Sequence, residues 1–146
     1  IVKMTVRLTA VIMAVFISGF LSGRNFDFTI NAHAQSNKVF ELRTYTTAEG
    51  KLPNLLARFR DHTMTLFEKH GMTNVGYWVP QDSPNSENTL IYLLEHSSRQ
   101  AAQESWDDFR ADAEWSRVMI ESEVAGSIVN NIESVFIEPT NFSPIR

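Results

Sequence analysis

Among side chains that move protons or ligate metals near neutral pH, this chain carries four histidines and no cysteine. His62 follows Phe59 by three residues and precedes Leu66 by four. On a helix that spacing sets it at the edge of an apolar stripe, projecting toward a sheet. There it either faces a pocket or packs in the core with one ring nitrogen bonded to backbone. His70 stands before Gly71 in the last turn of the same helical pattern, where a cation complements the helix dipole, and capping is its expected role. His96 closes a strand-like run before Ser97 and Ser98 and reads as a solvated strand terminus. His33 belongs to an N-terminal leader.

Other chemistries find little support. Without cysteine there is no disulfide, thiolate zinc site or thiol nucleophile. No two histidines stand three or four apart, and neither H-E-x-x-H nor an EF-hand loop occurs, so no metal site is expected. The acidic residues Glu104, Asp107, Asp108, Asp112 and Glu114 read as the wet side of a helix. G-x-S-x-G, P-loop and G-x-G-x-x-G patterns are missing, and no cofactor is implied. Net charge is -4. Lys3, Arg7 and Arg24 oppose Asp27 alone in residues 1–34, so the remainder is more acidic still and repels phosphate backbones. Nucleic acid is not an expected partner.

The aromatic residues are more informative. Tyr45, Tyr77, Trp78, Tyr92, Trp106 and Trp115 fall on or beside segments with strand or helix character, placed to surround one cavity between sheet and helices. Most of them serve as core. Tyr and Trp also bring polar atoms that orient a planar apolar ligand, which gives Arg43, Tyr45, His62, Tyr77, Tyr92 and Trp106 as the candidate pocket. Arg43, in mid-strand, is either an exposed sheet residue or the group that meets such a ligand's acid.

These residues are positioned by a regular succession of elements. Residues 39–45 alternate, with Phe40 and Leu42 on one face and Glu41, Arg43 and Tyr45 on the other, as a first strand does. Gly50 breaks it. Pro53 suits a first helical turn and Gly71 a left-handed stop, so a helix is predicted over 53–70. Its stripe is Leu52, Leu55, Leu56, Phe59, Leu66 and Phe67, with Arg58, Arg60, Asp61, Glu68 and Lys69 largely elsewhere. Two β-type runs, 74–79 and 89–95, flank a polar hairpin tip at 80–88. Ser97 and Gln100 fit a capping box for a helix presenting Ala102, Trp106, Phe109 and Ala113. Asp112 caps a further helical segment ending before Gly126, and 132–137 forms the last strand.

The order is β-α-β-β-α-β, an α+β chain of ferredoxin-like form: a four-stranded antiparallel sheet with helices on one face. The uncovered face carries apolar residues, so a homodimer is expected. Residues 1–34 read as a signal peptide or N-terminal anchor. Lys3 and Arg7 precede the apolar run 8–21, and Ala32 and Ala34 occupy the small-residue positions before a cleavage point at Gln35. Residues 35–146 form the exported domain, periplasmic or secreted, and membrane contact comes only through the leader where it is uncleaved.

The residues Phe40-Glu41-Leu42-Arg43-Thr44-Tyr45, then Phe67-Glu68-Lys69-His70-Gly71-Met72, Val75-Gly76-Tyr77-Trp78, and Ser105-Trp106-x-x-Phe109-x-x-Asp112-x-Glu114-Trp115 resemble the NIPSNAP family in order and spacing. The resemblance implies the dimeric α/β-barrel fold, shared with small cofactor-independent monooxygenases. It implies little chemistry, since many bacterial relatives have no assigned activity, and the export-type leader departs from the organelle-targeted members. Two functions stay open: a small-molecule-binding or interaction module outside the cytoplasm, or a cofactor-independent monooxygenase-like enzyme acting on an apolar or aromatic substrate. A closed apolar cavity with Arg43 or His62 pointing inward favours the second.

Overall fold

The computed structural model describes residues 38–145, and the leader expected over 1–34 lies outside the described residues. Alternating side chains build β1 (Val39–Thr47), which pairs antiparallel with β3 (Thr89–His96) on one side and β4 (Val129–Ile137) on the other. The hairpin partner β2 (Thr73–Trp78) adds to β3, giving the sheet order β2-β3-β1-β4. That is the ferredoxin-like arrangement expected from the element order. The hairpin tip folds into a short 3-10 turn, Asn85–Glu87.

The first helix starts where Gly50 adopts a positive φ of 68° and Pro53 enters the first turn. It is not one regular helix. α1 (Leu52–Arg58) and α2 (Met64–Lys69) are joined by a π-helical turn, Phe59–Thr63, whose Thr63 hydroxyl donates to the Arg58 carbonyl at 3.1 Å. α3 (Arg99–Ala111) is capped by Ser98, which accepts from the Ala101 amide, one residue later than the capping box predicts. α4 (Ala113–Ser122) begins at Asp112, as expected: Oδ1 accepts from the Glu114 amide. Asp112 Oδ2 takes Lys69 Nζ and His70 Nε2, each at 2.7 Å, tying the end of α2 to the start of α4.

The core lies between sheet and helices, where Tyr45, Leu90, Tyr92 and Leu94 meet Leu55, Phe59, Leu66, Phe67, Trp106 and Phe109. β1 therefore turns its more polar face inward, because Glu41, Arg43 and Tyr45 are in phase. The pairs Arg43–Tyr92 and Tyr45–Leu90 carry that phase across to β3. On the opposite face Leu42 pairs with Leu93 and Val135, and Trp78 with Ile91. Trp78 is 52% exposed there, outside the sheet-helix layer in which the aromatic set was expected. Its ring folds back over Gly76, where an added Cβ would stand 2.6 Å from it, so a larger residue there would have to displace the Trp78 ring.

Candidate functional site

Five of the six candidate residues come together. The Arg43 guanidinium lies 4.2 Å from the Trp106 ring centroid and 5.6 Å from that of Tyr45. Tyr92 has its ring centroid 5.3 Å from Tyr45 and stacks on Tyr77 at 5.4 Å. Tyr77 in turn donates its hydroxyl to Asn74. Burial pushes the phenols of Tyr77 and Tyr92 upward, so both keep their protons across the physiological range.

His62 is not among them. The π turn adds a residue to the helical repeat and rotates what surrounds it by about 100° relative to a regular helix. Thr63 takes the buried position. His62 instead lines a groove of about 350 Å³ with Asn54, Asp61, Glu121 and Ser122, away from the aromatic cluster. Its projection toward the sheet is corrected accordingly.

What holds two of the other five, Arg43 and Trp106, is a residue that the sequence did not single out. Glu41 is 1% exposed, and four donors surround its carboxylate. Oε1 accepts from Ser134 Oγ and Arg43 Nη1, both at 2.6 Å. Oε2 accepts from Trp106 Nε1 at 2.7 Å and lies 3.0 Å from His96 Nε2. Burial by itself would raise the Glu41 carboxyl. The bonds from His96, Ser134 and Trp106, with the Arg43 charge beside them, outweigh it and hold the carboxyl at about 2. A carboxylate with every donor in place and no proton to give is a clamp on β1, β3, β4 and α3 rather than a general acid or base. His96, expected as a solvated terminus, is 1% exposed, and this carboxylate reaches it diagonally across the β1–β3 pair. The one sequence signal for Glu41 was its phase with Tyr45.

Beside this cluster a cleft of about 410 Å³ opens between the helices and the start of β4. Its apolar walls are Tyr45, Phe59, Phe67, Phe109, Trp115 and Met119. Phe109 and Trp115, from α3 and α4, meet at 4.5 Å, and Tyr45 meets Phe59 edge-on at 5.8 Å. Polar groups enter from Thr63, Glu123, Ser127, Asn130, Asn131 and, least expected, Arg58. Arg58 was placed off the apolar stripe, yet only 3% of its side chain is exposed. It follows Leu55 by three residues, and that spacing is the signal that locates it. Arg58 Nη1 donates to Met119 Sδ at 3.2 Å, Ser122 Oγ at 3.3 Å and Glu123 Oε1 at 3.1 Å. Arg43 does not line this cleft, and of the six candidates only Tyr45 does. Among the described residues no three His, Asp or Glu side chains converge to hold a metal.

The NIPSNAP family model matches residues 40–144. The chain belongs to the NIPSNAP family. The span of the match takes in the Glu41 clamp and the cleft alike. This NIPSNAP domain is similar to a family protein of unknown function from Agrobacterium tumefaciens (22% identity, TM-score 0.66, covering 77% of this chain and 96% of that one). It is also similar to an uncharacterised NIPSNAP-like domain protein from Burkholderia xenovorans (15% identity, TM-score 0.64, 75% and 90% covered). A monooxygenase of Streptomyces coelicolor in complex with nanaomycin D shares the fold more distantly (12% identity, TM-score 0.50, 70% and 88% covered). Comparison with curated proteins finds no match. The NIPSNAP proteins among these relatives have no stated activity, so function has to be argued from the site.

Proposed function

We propose that this NIPSNAP protein is a small-molecule-binding module whose aromatic cleft takes a planar apolar ligand. The observation that carries this reading is the cleft itself. About 410 Å³ walled by five aromatic rings and Met119 falls within the roughly 300–1,000 Å³ of ligand sites, and Arg58, Thr63, Glu123, Ser127, Asn130 and Asn131 supply the polar groups that fix orientation. An oxidising enzyme of the cofactor-independent kind called for a closed cavity with Arg43 or His62 inside it. Arg43 is committed to Glu41 and Trp106, and His62 lines another groove, so binding has the firmer support.

The binding unit proposed is a homodimer joined through the open sheet face. Trp78, Val135 and Ile137 are exposed there, beside half-buried Leu42, Ile91 and Leu93. Among the described residues no helix is long and apolar enough to cross a membrane. Export, with membrane contact only through an uncleaved leader, rests on the sequence of residues 1–34.

Calorimetric titration of the full chain with naphthalene tests the cleft. Saturable binding is expected, and Asn130→Trp, which fills the cleft from an exposed position, should weaken it about ten-fold or more. A flat titration of the parent protein sinks the reading.

A further inference from the structure

We infer that the cleft's ligand is an uncharged aromatic carbonyl compound, and that Arg58 receives its carbonyl oxygen; this rests on the binding reading above. Arg58 is a buried cation whose side chain is 3% exposed, on the wall of the aromatic cleft. All of its hydrogen bonds leave from one nitrogen, Nη1. Nε is buried without a partner, and among the described residues no protein acceptor meets Nη2. A guanidinium carries five N–H groups in a fixed fork, so its Nε and Nη2 edge, the one that meets acceptors side-on, is left unused. Buried donors without acceptors are costly, and those of a charged group more so. The guanidinium centre lies 5.6 Å from the Trp115 ring, so Arg58 borders the space that a ring stacked in the cleft would fill, and a small shift of the side chain would bring its unused donors to an oxygen on that ring.

Charge decides what kind of oxygen it is. Arg58 is already neutralised by Glu123 at 3.1 Å, and Glu123 is held in turn by the Ile128 amide. A ligand carboxylate would bring a second anion against Glu123 in a poorly solvated site. A ketone, quinone or similar carbonyl supplies the missing acceptor and leaves the local charge at zero. Asn130 and Thr63 add polar edges to the cleft without altering that balance.

Three probes of one ring size separate the possibilities: ethylnaphthalene, acetylnaphthalene and naphthoate, each titrated into the full chain. The ketone should bind about ten-fold tighter than ethylnaphthalene, the size expected of one hydrogen bond to a charged donor. It should bind at least as tightly as naphthoate, and Arg58→Met should abolish its advantage. Because Arg58→Met leaves Glu123 unpaired and can unfold the protein, Glu123→Gln is the second variant. It keeps an acceptor for Arg58 and Ile128 but removes the anion, so naphthoate should overtake the ketone. Equal affinities for ketone and hydrocarbon would overturn the carbonyl assignment and leave the cleft reading standing. Naphthoate binding best to the parent protein, or gaining nothing in Glu123→Gln, would overturn the charge argument. If no probe binds, the cleft reading itself falls.

Discussion

The Trp106 indole nitrogen donates to Glu41 Oε2 at 2.7 Å, joining α3 to β1 across 65 residues of sequence. Through that bond a residue that reads as surface charge becomes the point where strands and helix are pinned. A buried carboxylate is tolerable only when every lone pair is met, and Ser134, Arg43 and His96 complete the set.

The carboxyl of Glu41 stands at about 2 in the fold against an ordinary value of 4.5. A depressed carboxyl contributes stability that is fully present above 4.5 and lost as pH falls through that value toward 2. Its size is on the order of 3 kcal/mol. Urea melts across that window should show the loss in the parent protein and a flatter profile in Glu41→Gln. The variant should also be less stable at pH 7 by roughly 3 kcal/mol, since Arg43 loses its counter-charge. Parallel pH profiles would show that Glu41 does not carry the clamp.

Thr63 and His62 should respond oppositely to the same treatment. Thr63→Val keeps volume and loses the hydroxyl that closes the π turn, costing about 1 kcal/mol. His62→Ala, in the outer groove, should change stability by less than about 0.5 kcal/mol and leave naphthalene binding as it was. A larger loss at His62 than at Thr63 in denaturant melts would mean that the helix is regular there.

Val135 pairs with Leu42 in the middle of the open face and is 57% exposed. If two copies meet there they should bury more than about 1,000 Å². Sedimentation equilibrium at micromolar concentration should then report a dimer for the parent and a monomer for Val135→Glu, with both variants equally helical. A monomeric parent removes the dimer from the proposal.

Protein recovered from its host should begin near Gln35, because Ala32 and Ala34 occupy the positions that signal peptidase reads. N-terminal sequencing that starts within the apolar run 8–21 or before it would establish an uncleaved leader instead.

The sequence by itself determined the order of strands and helices and hence the ferredoxin-like sheet. Alternation along β1 and β3, the Leu55-Phe59 spacing of α1, and the breaks at Gly50 and Gly71 are local signals that survive in any context. What only the tertiary structure decided is which polar groups those elements bury. Glu41, Arg58 and His96 look like solvent residues because a charge is costly to bury alone. Each becomes stable inside only when partners from distant segments arrive: Trp106 and Ser134 for Glu41, Glu123 and Ser122 for Arg58, Glu41 for His96. The π turn that buries Thr63 in place of His62 is likewise invisible to a 3.6-residue pattern, because it departs from that period where Phe59 packs against Tyr45 and Tyr92 on the sheet. Pattern reports which face is apolar, and only packing reports what else that face encloses.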